Sequence, residues 1–249
     1  MCYNALMIIQ AIKTRVFKEG EDLAKFVFNY VPKLGEGDIL VVTSKIVALA
    51  QGRTAPDQGE AYKIKLIKQE SVWARRTKYV WLTLKDGLVM ASAGIDESNA
   101  NGKLILLPRD SFKAARQLRQ ALQEHFNIKK LGVLITDSRT MPLRAGVTAA
   151  ALGYAGFRGI RDYRGRPDIF GRRFKFSRTN VADSLATAAV LVMGEGAERQ
   201  PLTIIKNSPV EFCERGRRDE LKIDFKDDMY RPIINISTKW GRPAPWRTQ

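Results

Sequence analysis

Two runs of branched apolar residues constrain this chain more than any other feature: GDILVVTS, Gly37–Ser44, and LGVLITDS, Leu131–Ser138. Each reads as a strand, because a short unbroken run of Ile, Leu and Val has no face to give to water and must be buried. Each then breaks off in groups that a core does not hold, Ser44 with Lys45 in the first and Asp137 with Ser138 in the second. Such groups at the end of a buried strand are projected from a rigid scaffold.

Other elements follow from periodicity. EDLAKFVFNYVP spaces Leu23, Phe26, Val27, Tyr30 and Val31 as one helical face, closed by Pro32. A short helix is expected from Ser44, and a strand that feeds a helix start is a natural seat for an anion. The runs Tyr79–Leu84 and Leu88–Ser92, separated by Lys85-Asp86-Gly87, predict a hairpin that runs out into the loop AGIDESNANG. Ala115, Leu118, Leu122 and Phe126 form a helical stripe, with His125 beside it near the helix end. GVTAAALGYAGF reads as a strand that needs close backbone approach, Arg158–Arg178 as a basic loop, and TNVADSLATAAVLVMGEG as a helix stopped at Gly194. PLTIIK and RPIINIS supply two further expected strands, and Trp240–Gln249 an irregular tail. Strands and helices in this mixture, with a hairpin among them, predict a mixed-sheet α+β fold.

With 249 residues, 45% hydrophobic and 27% charged, the chain suits a folded soluble protein of one large domain or two small ones. Two cysteines, Cys2 and Cys213, give neither a disulfide framework nor a zinc spacing, and a cytoplasmic setting is expected. No signal peptide is read at the N-terminus, and no apolar run approaches the ~20 residues of a membrane helix. The lone histidine excludes a multi-histidine metal site.

Three acids share one context, each standing where an apolar or small-residue segment ends: Asp96 in AGIDESN, Asp137 in LITDS and Glu195 in VMGEG. With the Ser138 hydroxyl they form a set of hard oxygen donors suited to Mg²⁺ or Mn²⁺, while each taken alone is also an ordinary turn or cap acid. The chain carries neither G-x-x-x-x-G-K-[ST] nor G-x-G-x-x-G, so phosphate contacts fall instead on Ser44, Lys45, Gly194 and Gly196. The net charge of +16 favours anionic partners without choosing among them. In the segment from Arg158 to Arg178, arginines interleave with Tyr163, Phe170, Phe174 and Phe176, a pattern that suits a small anion, single-stranded nucleic acid or a merely solvated face.

Taken together, GDILVVTSKIVALAQGR, ASAGIDESNANG, LITDSRTMPLRAG, RDYRGRPDIFGR and NVADSLATAAVLVMGEG resemble, in order and character, the coenzyme F420-0:L-glutamate ligase family, γ-glutamyl ligases that extend a deazaflavin cofactor. The resemblance runs from about Lys18 to about Ile205. It implies a two-lobed fold in an intertwined homodimer, placed here as a ligase-like domain over 1–206 with a C-terminal extension over 207–249. It further implies GTP, or ATP, as co-substrate and L-glutamate added to the carboxylate of an anionic acceptor through an acyl phosphate. Metal ligands then fall on Asp96, Asp137, Ser138 and Glu195, and nucleotide contacts on Ser44, Lys45, Asn99, Met193, Gly194 and Gly196. Arg144 and Arg172 become clamps for substrate and developing charge.

The chain departs from the family pattern at Ala48-Leu49, where a lysine is usual, and at Thr140-Met141, where Gly-Arg is usual. Lys45 lies four residues before Leu49 on the same helical face and is expected to supply the missing charge. A folate-type or other glutamyl-bearing acceptor is the nearest alternative. A basic nucleic-acid-binding protein on a relic ligase fold is the rival from another class, although nucleic acid is not the expected partner.

Overall fold

The computed structural model describes residues 6–214, 216–232 and 234. In chain order the elements are β1 (Ile8–Ile12), α1 (Leu23–Tyr30), β2 (Asp38–Thr43), α2 (Ser44–Ala50), β3 (Thr54–Pro56), α3 (Glu60–Glu70), β4 (Trp73–Arg76), β5 (Trp81–Lys85) and β6 (Leu88–Ala91). They continue with β7 (Lys103–Ile105), α4 (Ser111–Phe126), β8 (Leu131–Thr140), β9 (Val147–Ala155), β10 (Ile160–Asp162), β11 (Arg178–Asn180), α5 (Val181–Met193) and β12 (Leu202–Lys206). The architecture is mixed α+β, as expected from the sequence. The described residues divide into two compact units, one formed from 6–53, 108–214 and 216–221, the other from 54–107 and the described residues beyond 221.

The first unit is built on a five-stranded sheet of order β1-β12-β2-β8-β9. The two branched runs are its centre: β2 and β8 pair in parallel, with Asp38 opposite Leu131 and Thr43 opposite Thr136. Ile39 to Val42 and Val133 to Ile135 are all fully buried, which is why neither run alternates with polar residues. Helices α1, α2 and α4 cover one face through Phe26, Val27, Val47, Leu118 and Leu122. Helix α5 covers the other through Ala182, Leu185, Ala186 and Ala189. Asp22, Asp110 and Asn180 cap α1, α4 and α5 by accepting the amides of Lys25, Lys113 and Asp183 at 2.9, 2.9 and 3.0 Å. His125 stacks on Phe28 with ring centroids 3.9 Å apart, a packing role that matches its place beside the α4 stripe.

The small residues of β9 do permit close approach, as the sequence predicts. A side chain at Gly153 would stand 2.7 Å from the Ser111 carbonyl oxygen at the start of α4, so that turn lies directly on the strand. The basic stretch, in contrast, is not a loop. β10 and β11 pair antiparallel, and the ladder continues outward from Tyr163 N to Ser177 O at 3.1 Å, Gly165 N to Phe174 O at 2.9 Å and Asp168 N to Arg172 O at 2.8 Å. Glycine, proline and arginine hide this hairpin from a periodicity argument, because neither face is buried.

Residues 208–214 and 216–221 are laid against the rest of the first unit. The amide of Arg158 donates to Glu211 O at 2.8 Å and that of Cys213 to Gly156 O at 3.0 Å. Arg119, inside the apolar stripe of α4, gives its Nε to Leu131 O at 2.8 Å and its two terminal nitrogens to Glu214 at 2.9 and 2.8 Å. Glu220 Oε1 accepts from the buried Tyr154 hydroxyl at 2.7 Å and from Gly159 N at 2.6 Å. Burial, and then the Glu220 carboxylate, push the Tyr154 phenol upward, so it stays protonated and donating. Glu220→Ala strands two donors, each costing about 1–3 kcal/mol when buried. A loss of about 2 kcal/mol in urea unfolding is expected, and an unchanged midpoint would show that this contact does not hold the segment.

The second unit packs α3 against the meander β4-β5-β6 and the pair β3-β7, around Ile67, Ile95, Leu104 and Leu106. The expected hairpin is β5-β6, with Lys85 opposite Leu88. Its two turn residues, Asp86 and Gly87, have φ of 52° and 84°, the left-handed pair that a tight hairpin selects. Helix α3 was not expected from the sequence, since it buries only Ile67 and is otherwise lysine-rich. Most of the expected strand Arg231–Ser237 and all of the expected tail Trp240–Gln249 lie outside the described residues. Among the described residues no helix is long and apolar enough to cross a membrane.

Candidate active site

Because β2 and β8 run in parallel, their carboxyl ends emerge side by side, with Thr43 opposite Thr136. The next residues of each run are therefore neighbours: Ser44 Oγ donates to Asp137 Oδ1 at 2.8 Å. Ser44 is buried and Asp137 half-buried, so this hydrogen bond ties the carboxylate to the core side. Consecutive strand residues point to opposite faces. Asp137 takes a partner from α2 on one face of the sheet, and Ser138 takes Glu195, just past α5, on the other.

That second pair is bifurcated, with Ser138 Oγ 2.7 Å from Glu195 Oε1 and 2.9 Å from Oε2. Helix α5 stops at Gly194, whose φ of 79° lies in the left-handed region that glycine tolerates. A side chain there would also meet the Glu198 carboxylate, 2.6 Å from Oε1. Glu198 folds back so that Gly196 N donates to Oε2 at 2.8 Å, which fixes the turn carrying Glu195. Met193 is buried in the core under this turn. The expected contacts at Met193, Gly194 and Gly196 thus surround one tight turn, and its amide at Gly196 already serves a carboxylate.

Lys45 is the second residue of α2, half-exposed on the same helix as Leu49, which packs at the margin of the core. Arg144 is exposed in the connection from β8 to β9, and its amide donates to Met141 O at 3.3 Å. Arg172 stands near the tip of the β10–β11 hairpin, where its amide and that of Phe170 both donate to Asp168 Oδ1 at 2.9 Å. Ile169 and Phe170 at the tip are almost fully exposed.

Asp96 and Asn99 belong to the second unit. Asp96 exchanges both backbone hydrogen bonds with Ile105, at 2.9 and 2.8 Å, and its Oδ1 accepts from Ser98 N at 2.7 Å. Asn99 has φ of 52° in the same exposed turn. Asp96 follows Ser92, Ala93 and Gly94, three successive residues at positive φ, in a bend tied to β5 by Ala93 N donating to Thr83 Oγ1 at 2.9 Å.

Of the predicted donors, the structure thus brings together Ser44 with Asp137 and Ser138 with Glu195. Among the described residues, no group of three or more His, Cys, Asp or Glu side chains stands close enough to hold a metal ion. The role of Ser44 as partner of Asp137 could not be read from spacing, because only the strand pairing joins them. Glu198 and Asp183 were also missed; the Asn180 and Asp183 spacing at the start of α5 is a capping signal that points to the latter.

A family model described as F420-0:gamma-glutamyl ligase matches residues 11–207. Named relatives agree. A coenzyme F420:L-glutamate ligase of Methanococcus maripaludis is 33% identical over 227 residues, covering 84% of this chain and 90% of that protein. The protein of the same name from Methanopyrus kandleri is 34% identical over 218 residues, covering 80% and 85%. That from Archaeoglobus fulgidus is 31% identical over 237 residues, covering 88% and 94%.

Proposed function

Because the chain belongs to the F420-0:gamma-glutamyl ligase family, we propose that it forms an amide between L-glutamate and the carboxylate of coenzyme F420-0 or a related anionic acceptor, at the expense of GTP. The observation that carries this reading is the pairing of Ser44 with Asp137 and Ser138 with Glu195 at the carboxyl edge of the parallel β2–β8 pair. Crevices at the carboxyl ends of parallel strands are where such sheets bind ligands.

The donor chemistry fits a hard divalent cation: carboxylates and a hydroxyl, with no thiol or imidazole among them. Asp137, Ser138 and Glu195 would hold Mg²⁺ or Mn²⁺, and Asp96 keeps the ligand role that its motif implies. Such an ion neutralises nucleotide phosphates and polarises the phosphoryl group that is transferred. Ser44, by donating to Oδ1 of Asp137, helps fix the carboxylate's rotation. Lys45, Asn99 and the Met193–Gly196 turn serve the nucleotide.

In this scheme the acceptor carboxylate attacks the γ-phosphorus of GTP and GDP leaves, giving an acyl phosphate. The glutamate amine then adds to the acyl carbon, loses a proton, and expels inorganic phosphate to leave the amide. Arg144 and Arg172 clamp the anionic partners, as guanidinium forks match carboxylate and phosphate oxygens. Homodimer formation belongs to the same proposal.

The decisive experiment incubates the purified protein with glutamate, GTP or ATP, Mn²⁺ or Mg²⁺ and candidate acceptors, deazaflavin and folate-type among them, with readout by mass spectrometry. A gain of one glutamate identifies the acceptor, and no gain with any acceptor defeats the reading. Arg172→Lys separates a clamp from a general polyanion surface, since it keeps charge and loses the planar fork. The Michaelis constant for the acceptor is expected to rise about tenfold, while weak, salt-sensitive polynucleotide binding stays unchanged. Tight RNA or DNA binding that survives this exchange in a protein without ligase activity would favour the nucleic-acid rival.

A further inference from the structure

The strands that carry the candidate ligands contain an irregularity. β8 and β9 pair in one register from Val133 opposite Ala155 to Ile135 opposite Gly153, then slip, so that Thr136 stands opposite Ala151 and Leu152 is the extra residue. A one-residue slip exchanges the faces of every side chain beyond it. Past the slip, Ala149 and Ala151 face α5 and share a buried cluster with its Ala182, Ala186 and Ala189. Without it, Leu152, Ala150 and Thr148 would face the helix, and the bulk of Leu152 and Thr148 would hold α5 further from the sheet.

Two side chains of α5 grip the strand at this point. Asp183 Oδ1 accepts from Ala151 N, the amide at the slip, at 2.8 Å. One helical turn later Thr187 Oγ1 lies 3.4 Å from Ala149 N and 3.3 Å from Ala149 O. Four helical residues rise about 6 Å and two strand residues about 6.6 Å, so the two contacts share one spacing and fix how far α5 has slid along β9. Ala149 is in turn the partner of Ser138 in the ladder. The far end of the same helix delivers Glu195 to Ser138 at 2.7 Å.

We propose that Asp183 is a positioning residue: by holding the Ala151 amide at the register slip, it sets the axial position of α5 and thereby brings Glu195 to Ser138. Its second oxygen accepts from Asn180 Nδ2 at 2.8 Å and lies 3.7 Å from Arg139 Nη1, so the carboxylate is held at both oxygens. The consequence for metal binding rests on the function proposed above, whereas the grip itself does not.

The test compares Asp183→Ala with Asp183→Asn, which keeps an acceptor for Ala151, each with and without Glu195→Gln. Amide exchange at Ala151 and Mn²⁺ affinity by electron paramagnetic resonance are the readouts. In Asp183→Ala, Ala151 should exchange at least about tenfold faster and Mn²⁺ should bind about tenfold more weakly, the range found when a supporting partner of a metal ligand is lost. Glu195→Gln should then add little further loss, although it weakens Mn²⁺ binding clearly in the wild type. Asp183→Asn keeps the acceptor for Ala151 but turns a donor toward Asn180 Nδ2, so both values should fall between those of the wild type and Asp183→Ala. Unchanged exchange at Ala151, or an equal loss from Glu195→Gln in both backgrounds, overturns the positioning role. Should Asp183→Ala fail to fold, Thr187→Val carries the same comparison through the neighbouring contact. If Glu195→Gln has no effect on Mn²⁺ in the wild type, the metal reading of Glu195 falls, and exchange at Ala151 still decides the grip.

Discussion

Asp137→Asn is expected to lower glutamate addition by more than about a hundredfold, since loss of a mere supporting partner of a metal ligand already costs about ten- to a hundredfold. The substitution keeps the shape of the side chain and its acceptor for the Ser44 hydroxyl, 2.8 Å away, but removes the charge that a hard cation needs. The fold should be spared. Asp137 stands half-buried near the outer end of β8, where such a change is worth about 0.5 kcal/mol or less. Mn²⁺ with nucleotide should raise the melting temperature of the wild type by mass action and leave that of the variant where it was. Near-normal turnover combined with an equal thermal shift would remove Asp137 from the ligand set.

Gly153→Ala should have a large effect on stability. The added carbon would stand 2.5 Å from Phe112 N and 2.7 Å from Ser111 O, both backbone atoms in the first turn of α4. That turn cannot step aside alone, because Asp110 caps it and is itself held by Arg218 at 2.9 Å. Overpacking of this kind costs typically about 1–3 kcal/mol when side chains can give, and backbone gives less. A loss of about 3 kcal/mol or more is expected in urea unfolding. Gly216→Ala is the control: its nearest neighbour, Phe157 O, is at an ordinary 3.4 Å, and its midpoint should hardly move. If the two variants unfolded alike, α4 would not be seated on β9 as tightly as its geometry implies.

What could be read in the sequence was whatever burial writes into the order of residues. β2 and β8 were legible because burial on both faces leaves an unbroken apolar run, and the β5–β6 hairpin because Asp86-Gly87 suits few other turns. The C-terminal end of α5 was legible from Gly194. Helix α3 was not, since a helix that buries one residue leaves almost no stripe to find. Arg119 reads as a solvated charge, yet it is 8% exposed, because the Leu131 carbonyl and Glu214 satisfy its guanidinium. The acids of the candidate site were visible as acids that end apolar segments. Their partners were not, because the hydroxyl that orients Asp137 comes from the start of α2, 93 residues away, and only the parallel pairing of β2 with β8 makes them neighbours. The slip at Leu152 left no mark either, as a leucine in a bulge looks like a leucine in a strand.

The strand order β1-β12-β2-β8-β9 also dictates a timetable for the growing chain. Only β8 and β9 are joined by a short connection; β2 must wait for β8 until all of residues 54–107 have been made. β12 arrives last, yet it belongs between β1 and β2, bonding Ile8–Ile12 on one side and Ile39–Val42 on the other. Until Leu202–Lys206 leaves the ribosome, β1 lacks its partner in this sheet and the largely apolar β2 has one bare edge. Pairings so distant in sequence form slowly, and unpaired apolar edges stick to one another. Newly made chains therefore depend on protection at the β2 edge for most of their synthesis, and a chain cut short before β12 would be released as an open, adhesive half-sheet.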